Sequence, residues 1–180
     1  VQKKLPNATK VQVFKTYGTA MLKWEDISLE FVGARKESYA PESRNPEVSE
    51  GSLQDDQNRR DFTINAMAIS LNKKAYGTLL DPFNGLADLE KGILRTPLEP
   101  GITYSDDPLR MLRAVRFASQ LNFIIEKESL DAIKEHADRI SIITKERCVD
   151  EINKIMQCDQ PSFGFLLLDD VNLLPLLLPE

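Results

Sequence analysis

The chain has 180 residues, enough for one or two domains, with 42% hydrophobic and 28% charged residues, the balance of an ordinary globular protein. Its 23 basic and 28 acidic residues leave a net charge of −5, which argues against a protein that coats nucleic acid nonspecifically but permits one focused basic site on an acidic body. No apolar run reaches the ~18 residues of a membrane span and no signal peptide is visible, so no membrane partner is expected.

Residues 11–32 read as an antiparallel meander. Val11-Gln12-Val13-Phe14 and Ile27-Ser28-Leu29-Glu30-Phe31-Val32 alternate, and Thr19 to Trp24 lies between a Tyr17-Gly18 break and Glu25-Asp26. Lys36 to Asn58 changes character: Pro41, Pro46, Gly51, four serines and many charges predict a long loop. Residues 62–71 are apolar and fit either helix or strand. Leu79-Leu80 predicts a strand entering an Asp81-Pro82-Phe83-Asn84-Gly85 turn that the aspartate closes. Leu86–Lys91 reads as a short helix and Ile93–Thr96 as a last strand.

From residue 105 the pattern is helical. Ser105 or Asp106 can cap a helix to about Gln120, with Pro108 in its first turn. Ser129–Ile140 predicts a second helix, Thr144 opens a third with Val149, Ile152 and Met156 on one stripe, and a fourth follows Pro161, where Phe163 and Phe165 are packing residues. The chain thus divides near residue 100 into a mixed α/β part and an all-helical part. Val1 is not a start methionine and Leu173 to Glu180 is very apolar, so the sequence reads as a fragment.

Few residues suit hydrolytic chemistry. The only histidine, His136, sits among charged helical neighbours and is expected to face solvent, and Cys148 and Cys158 match neither a disulfide framework nor a metal site, which fits a reducing cytosol.

Two arginine-bearing segments stand out instead. In the 106–116 segment, Arg110, Arg113 and Arg116 fall within an arc of about 120°, opposite an apolar face. Asp107 lies three residues before Arg110, so an ion pair on a solvated basic face is one reading. The other is a nucleotide reader. An aspartate accepts from the exocyclic amine of C or A, an arginine donates to ring acceptors on the same edge, and further arginines hold a triphosphate.

In Arg59-Arg60-Asp61, one guanidinium can point outward and one into a site, or Asp61 can cap a helix over 62–70. Asn65 suits a ribose hydroxyl or nearby backbone groups, and Glu30, in an apolar strand, either faces solvent or lies near a bound Mg²⁺. Glu146-Arg147 with Glu151 reads as a salt-bridge cluster at a helix start.

In order, DDQNRRDFTINAMA (55–68), DPFNGLADLEKGIL (81–94), DDPLRMLRAVRFA (106–118) and ERCVDEINKI (146–155) closely resemble the class II tRNA nucleotidyltransferase (CCA-adding enzyme) and bacterial poly(A) polymerase family. The resemblance covers most of residues 10–180. It implies an α+β fold: a nucleotidyltransferase-type head with a mixed or antiparallel sheet over residues 1–100, N-terminally incomplete, then an all-helical neck over 101–180. It also implies a cytoplasmic, Mg²⁺-dependent enzyme adding CMP and AMP from CTP and ATP to tRNA or other RNA 3′ ends, with release of pyrophosphate.

Carried over by position, Arg60 looks like the nucleotide-contacting arginine, with Asp61 and Asn65 beside it. Asp107 and Arg110 look like the template that selects C and A, Arg113 and Arg116 like triphosphate contacts, and Glu30 like a carboxylate near the catalytic pair. Lys36–Asn58 matches the head's flexible loop, linked in the family to the switch from C to A addition. The family's Gly-Gly phosphate segment and metal-holding Asp-x-Asp are absent, and Asp106 stands where glutamate is usual. The fragment itself is therefore expected to be inactive. CCA addition is the leading reading, the motifs do not separate it from poly(A), C-only or A-only addition, and Arg60, Asp107 and Arg110 speak against the further alternative of a non-catalytic RNA-binding module.

Overall fold

The computed structural model describes residues 5, 7–14, 18–40 and 43–179. Tyr17 and Pro41 lie outside the described residues.

The meander forms as the alternation predicts. Strands β1 (Gln12–Phe14), β2 (Thr19–Trp24) and β3 (Ile27–Val32) make a three-stranded antiparallel sheet in that order. The β2–β3 turn uses Glu25 at φ 52°, and Leu22 is the buried side chain of the sheet, while Val13, Phe14, Ile27, Phe31 and Val32 stay exposed.

The long loop expected over 36–58 is instead a hairpin and a helix. Strand β4 (Arg35–Ala40) pairs antiparallel with β5 (Ser43–Glu50), and α1 (Leu53–Asn58) follows. Strand period two turns Arg35, Glu37 and Tyr39 inward while Lys36 and Ser38 remain exposed. Polar side chains on both faces hide this strand from hydrophobic patterning, and Pro46 is tolerated because a two-stranded hairpin has free edges. Ser52 starts α1 through a capping box: its hydroxyl accepts from Asp55 N, and the Asp55 carboxylate accepts from Ser52 N.

Residues 62–71 form no helix. A 3₁₀ turn (Thr63–Asn65) leads to β6 (Ala68–Ile69), which pairs with β7 (Leu79–Leu80). Asp81 closes its turn as expected, accepting from Gly85 N at 2.7 Å and Leu86 N at 2.9 Å, and so starts α2 (Gly85–Lys91). Gly85 is required there, since a Cβ would lie 2.3 Å from the Thr63 carbonyl oxygen. The expected last strand is reduced to β8 (Ile93–Leu94), which pairs in parallel with β9 (Ile124–Ile125).

The helix expected from Ser105 is two helices. Helix α3 (Pro100–Asp106) is capped by the Glu99 carboxylate, and α4 (Leu109–Leu121) follows after a break. Asp107 is extended at φ −134°, ψ 94°, because a residue before proline is pushed out of the helical region. Ser105 and Asp106 therefore end a helix rather than begin one.

Helix α5 (Lys127–His136) continues as a 3₁₀ stretch (Ala137–Ile142), then α6 (Lys145–Met156), α7 (Pro161–Asp170) and α8 (Leu174–Leu177) complete the helical part. The expected α6 stripe is corrected: Val149 and Met156 are exposed, and the buried set is Cys148, Glu151, Ile152 and Ile155. His136 is half-buried against Gly101, not solvent-facing. The core gathers Phe62 and Leu94 with Tyr104, Met111, Leu112, Val115, Ile133, Ile155, Leu168 and Leu173, and Phe163 and Phe165 pack on its margin.

Candidate functional site: a cleft between hairpin and arginine helix

A cleft of about 190 Å³ opens where the β4–β5 hairpin faces α1, α3 and the start of α4. Lys36, Glu37 and Tyr39 form one wall, Asn58 and Arg59 a second, and Thr103, Asp106 and Arg110 the third.

The arginines of the RRD segment share one carboxylate. Asp56 Oδ1 accepts from Arg59 Nε (3.1 Å) and Nη2 (2.5 Å), and Oδ2 accepts from Arg60 Nη2 (2.6 Å). Burial opposes the Asp56 charge, but the two guanidiniums outweigh it and hold the carboxyl below the usual carboxylate range. Arg59 reaches on to Glu37 Oε1 at 3.3 Å, and Glu37 Oε2 accepts from the Tyr39 hydroxyl at 2.7 Å. Burial and this carboxylate raise the Tyr39 phenol well above its ordinary pKa, so the ring is a neutral wall of the cleft.

The three arginines of α4 do not share a solvated face. Arg110 and Arg116 are each only 8% exposed. Arg110 Nη2 donates to the Arg59 backbone carbonyl at 2.7 Å, which seats its guanidinium in the cleft. Arg113 donates through Nε (2.8 Å) and Nη2 (2.5 Å) to Asp61 Oδ2. Arg116 Nε donates to Glu151 Oε2 at 2.6 Å, and its guanidinium carbon lies 3.9 Å from the Phe117 ring centroid. Glu151 also accepts from Lys154, so it joins α4 to α6 instead of belonging to a cluster at the start of α6.

Asp61 is buried and caps no helix over 62–70. Its Oδ1 accepts from Phe62 N and Asn65 Nδ2, both at 3.0 Å. Burial raises its carboxyl pKa, yet Arg113, Asn65 and the Phe62 amide outweigh that and leave it below the usual range. Asn65 is thus engaged with Asp61, while Asn65 as a whole is exposed. Asp107 Oδ1 lies 3.3 Å from Leu109 N at the helix break, and Asp106 lines the cleft with its carboxyl pushed up by burial against the pull of Arg110 and Arg139.

Glu30 stands apart from this cleft, exposed on β3 opposite Met21. The sequence contains no Asp-x-Asp, and among the described residues no group of three or more His, Cys, Asp or Glu side chains could hold a metal ion. The residues here do not fit a Mg²⁺ site. Glu37 and Tyr39 are cleft residues the sequence reading missed, as it missed Asp56, which lies outside the cleft lining and holds Arg59 and Arg60. The position of Asp56 three and four residues before the arginine pair was the available signal.

Residues 1–95 match the family described as Poly A polymerase head domain. The chain belongs to this family. Beyond the head-domain match, residues 122–180 match a second family, described as the probable RNA and SrmB-binding site of polymerase A. The chain is 45% identical over 129 residues to the A-adding tRNA nucleotidyltransferase of Aquifex aeolicus, covering 72% of this chain and 15% of the relative. It is 41% identical over 149 residues to the CCA-adding enzyme of Bacillus velezensis, covering 82% of this chain and 37% of that protein. The chain therefore spans well under half the length of these relatives. A crystal structure of a tRNA nucleotidyltransferase complexed with a primer tRNA and an incoming ATP analog superposes with a TM-score of 0.79 at 34% identity, covering 94% of this chain and 47% of that one. No helix among the described residues is long and apolar enough to cross a membrane.

Proposed function

We propose that this chain carries the nucleotide-selecting part of an RNA nucleotidyltransferase that adds CMP and AMP from CTP and ATP to tRNA 3′ ends and releases pyrophosphate. The observation that carries the reading is Arg110, a buried guanidinium oriented by the Arg59 carbonyl and opening into a cleft beside Asp106. Asp107, at the break between α3 and α4, accepts from the exocyclic amine of C or A, and Arg110 donates to the ring acceptors of the same edge. U and G present a carbonyl where that amine would be and are repelled by the carboxylate. Arg60, whose side chain is 42% exposed, contacts the sugar or phosphates.

Arg113 and Arg116 take a different role in this proposal from the one position alone suggests. Each already holds a buried carboxylate, so they brace the site and leave the triphosphate to Arg60 and to groups outside these residues. Mg²⁺ enters only with such further groups. Cys148 and Cys158, ten residues apart and matching neither a disulfide framework nor a metal site, fit a cytoplasmic setting.

A second reading, addition of A alone, is favoured by the 45% identity to an A-adding relative. Assaying the full-length protein on tRNA lacking its 3′ end, with CTP alone, ATP alone and both, separates the two. Extension by C residues and then A is expected. Extension by ATP alone with none by CTP selects the second reading, and no extension under any condition would leave a binding module.

A further inference from the structure

We infer that Asp56 is a positioning residue: its single carboxylate aims both the sugar-phosphate contact Arg60 and, through Arg59, the base reader Arg110. The inference rests on the function proposed above and names a residue to which that reading gives no role.

Asp56 sits in the short helix α1, and the last turn of that helix brings residues three and four positions on back over its side chain. Each carboxylate oxygen is committed to a different arginine, Oδ1 to Arg59 and Oδ2 to Arg60. The side chain of Asp56 is 10% exposed and that of Arg59 15%, so water competes little for either partner. The Arg60 side chain is 42% exposed. With five N–H donors and one directed to Asp56, Arg60 has several left for an incoming anion.

The second arm runs through the backbone. Fixing the Arg59 side chain between Asp56 and Glu37 fixes its residue at the end of α1, and the Arg59 carbonyl there accepts from Arg110 Nη2 at 2.7 Å. That distance sets where the remaining Arg110 donors point. A carboxylate facing only one arginine would merely neutralise it. Facing two consecutive arginines, it sends their guanidiniums in separate directions, one toward Glu37 of β4 and one toward solvent.

The test uses the full-length protein. Asp56→Asn is expected to raise KM for CTP and ATP together by about 10–100-fold, the scale of misplacing a binding group by about an ångström, and to lower the CTP-over-UTP preference. In an Arg60→Ala background the KM effect of Asp56→Asn should vanish while the loss of preference persists, because only the Arg60 arm has been removed. A purely structural Asp56 would instead add its full KM effect to that of Arg60→Ala, and that result overturns the inference. A nucleotide-free readout on the unaltered protein is the exchange of the Arg59 Nε–H with solvent. Slow exchange supports the clamp, and exchange as fast as for free arginine overturns it even if Asp56→Asn does not fold. A wild-type protein that transfers neither CMP nor AMP removes the function proposed above and leaves this exchange result to decide the clamp.

Discussion

Arg110, Arg113 and Arg116 recur every third residue, and their chemistry is decided by partners far away in sequence. Arg116 and Glu151 are 35 residues apart and their side chains 10% and 5% exposed. Removing one member of a buried pair strands the other charge, so Arg116→Met should destabilise by about 3–5 kcal/mol, whereas Arg116→Met with Glu151→Leu should recover most of that loss. Chemical denaturation of the three proteins checks this, and recovery of stability by the double variant identifies the pair as bracing. Asp61 makes a pH prediction. Its carboxyl is held below the usual range by Arg113, Asn65 and the Phe62 amide, against burial. Its contribution is therefore complete at neutral pH and is lost as pH falls below the ordinary carboxylate range of about 4. Asp61→Asn should flatten the acid limb of a stability-versus-pH curve measured by denaturant melts, and an unchanged acid limb would contradict the assignment. The arginines themselves were readable from their spacing. Their partners were not, because nothing local marks a glutamate on α6 or a backbone carbonyl after α1 as the acceptor.

At the scale of elements, legibility followed how each one makes its hydrogen bonds. The β1–β3 meander and α7 declare themselves through alternation and through Pro161, and Thr144 stands one residue before α6 as a helix start should. The β4–β5 hairpin escaped because its inward residues, Arg35, Glu37 and Tyr39, carry charge or a hydroxyl and meet at the Glu37 carboxylate, which pairs with Arg35 and accepts from Tyr39, instead of packing on the core. Helix α1 carries its start in the Ser52-x-x-Asp55 spacing but lies inside a polar stretch of charges, serines and prolines. The break between α3 and α4 was written in Asp107-Pro108, where the steric conflict falls on the residue before the ring rather than on the proline. Helix packing gives a further prediction. Gly164 on α7 faces Ile155 Cγ2 and Ser119 Oγ, at 2.4 and 2.6 Å from where a Cβ would stand. Gly164→Ala should overpack the α4–α6–α7 junction and cost about 1–3 kcal/mol, read as a lowered midpoint in thermal melts.

Across the whole molecule, the head-like and helical parts share their interior. Strand β8 precedes residue 100 and pairs with β9 beyond it, and Arg95, held by Asp88 on its own side, pairs with Glu126 across the same division. Phe62 is fully buried, and its ring meets Phe117 of α4 edge-to-face with centroids 5.7 Å apart. It also directly follows Asp61, whose carboxylate binds both the Phe62 amide and Arg113 of α4. The aromatic contact and the ion pair therefore hold the same short segment against the same helix, and the cleft keeps its shape only while both parts are folded. Phe62→Ala should cost about 3–5 kcal/mol, and the loss should not be confined to the segment that carries the substitution. Amide hydrogen exchange in α4 and in α2 should accelerate together, with one cooperative melting transition moved to lower temperature. Acceleration limited to α2 and the Thr63–Asn65 turn, with α4 unchanged, would show that the helices hold a separate core and that Phe62 only rests against it.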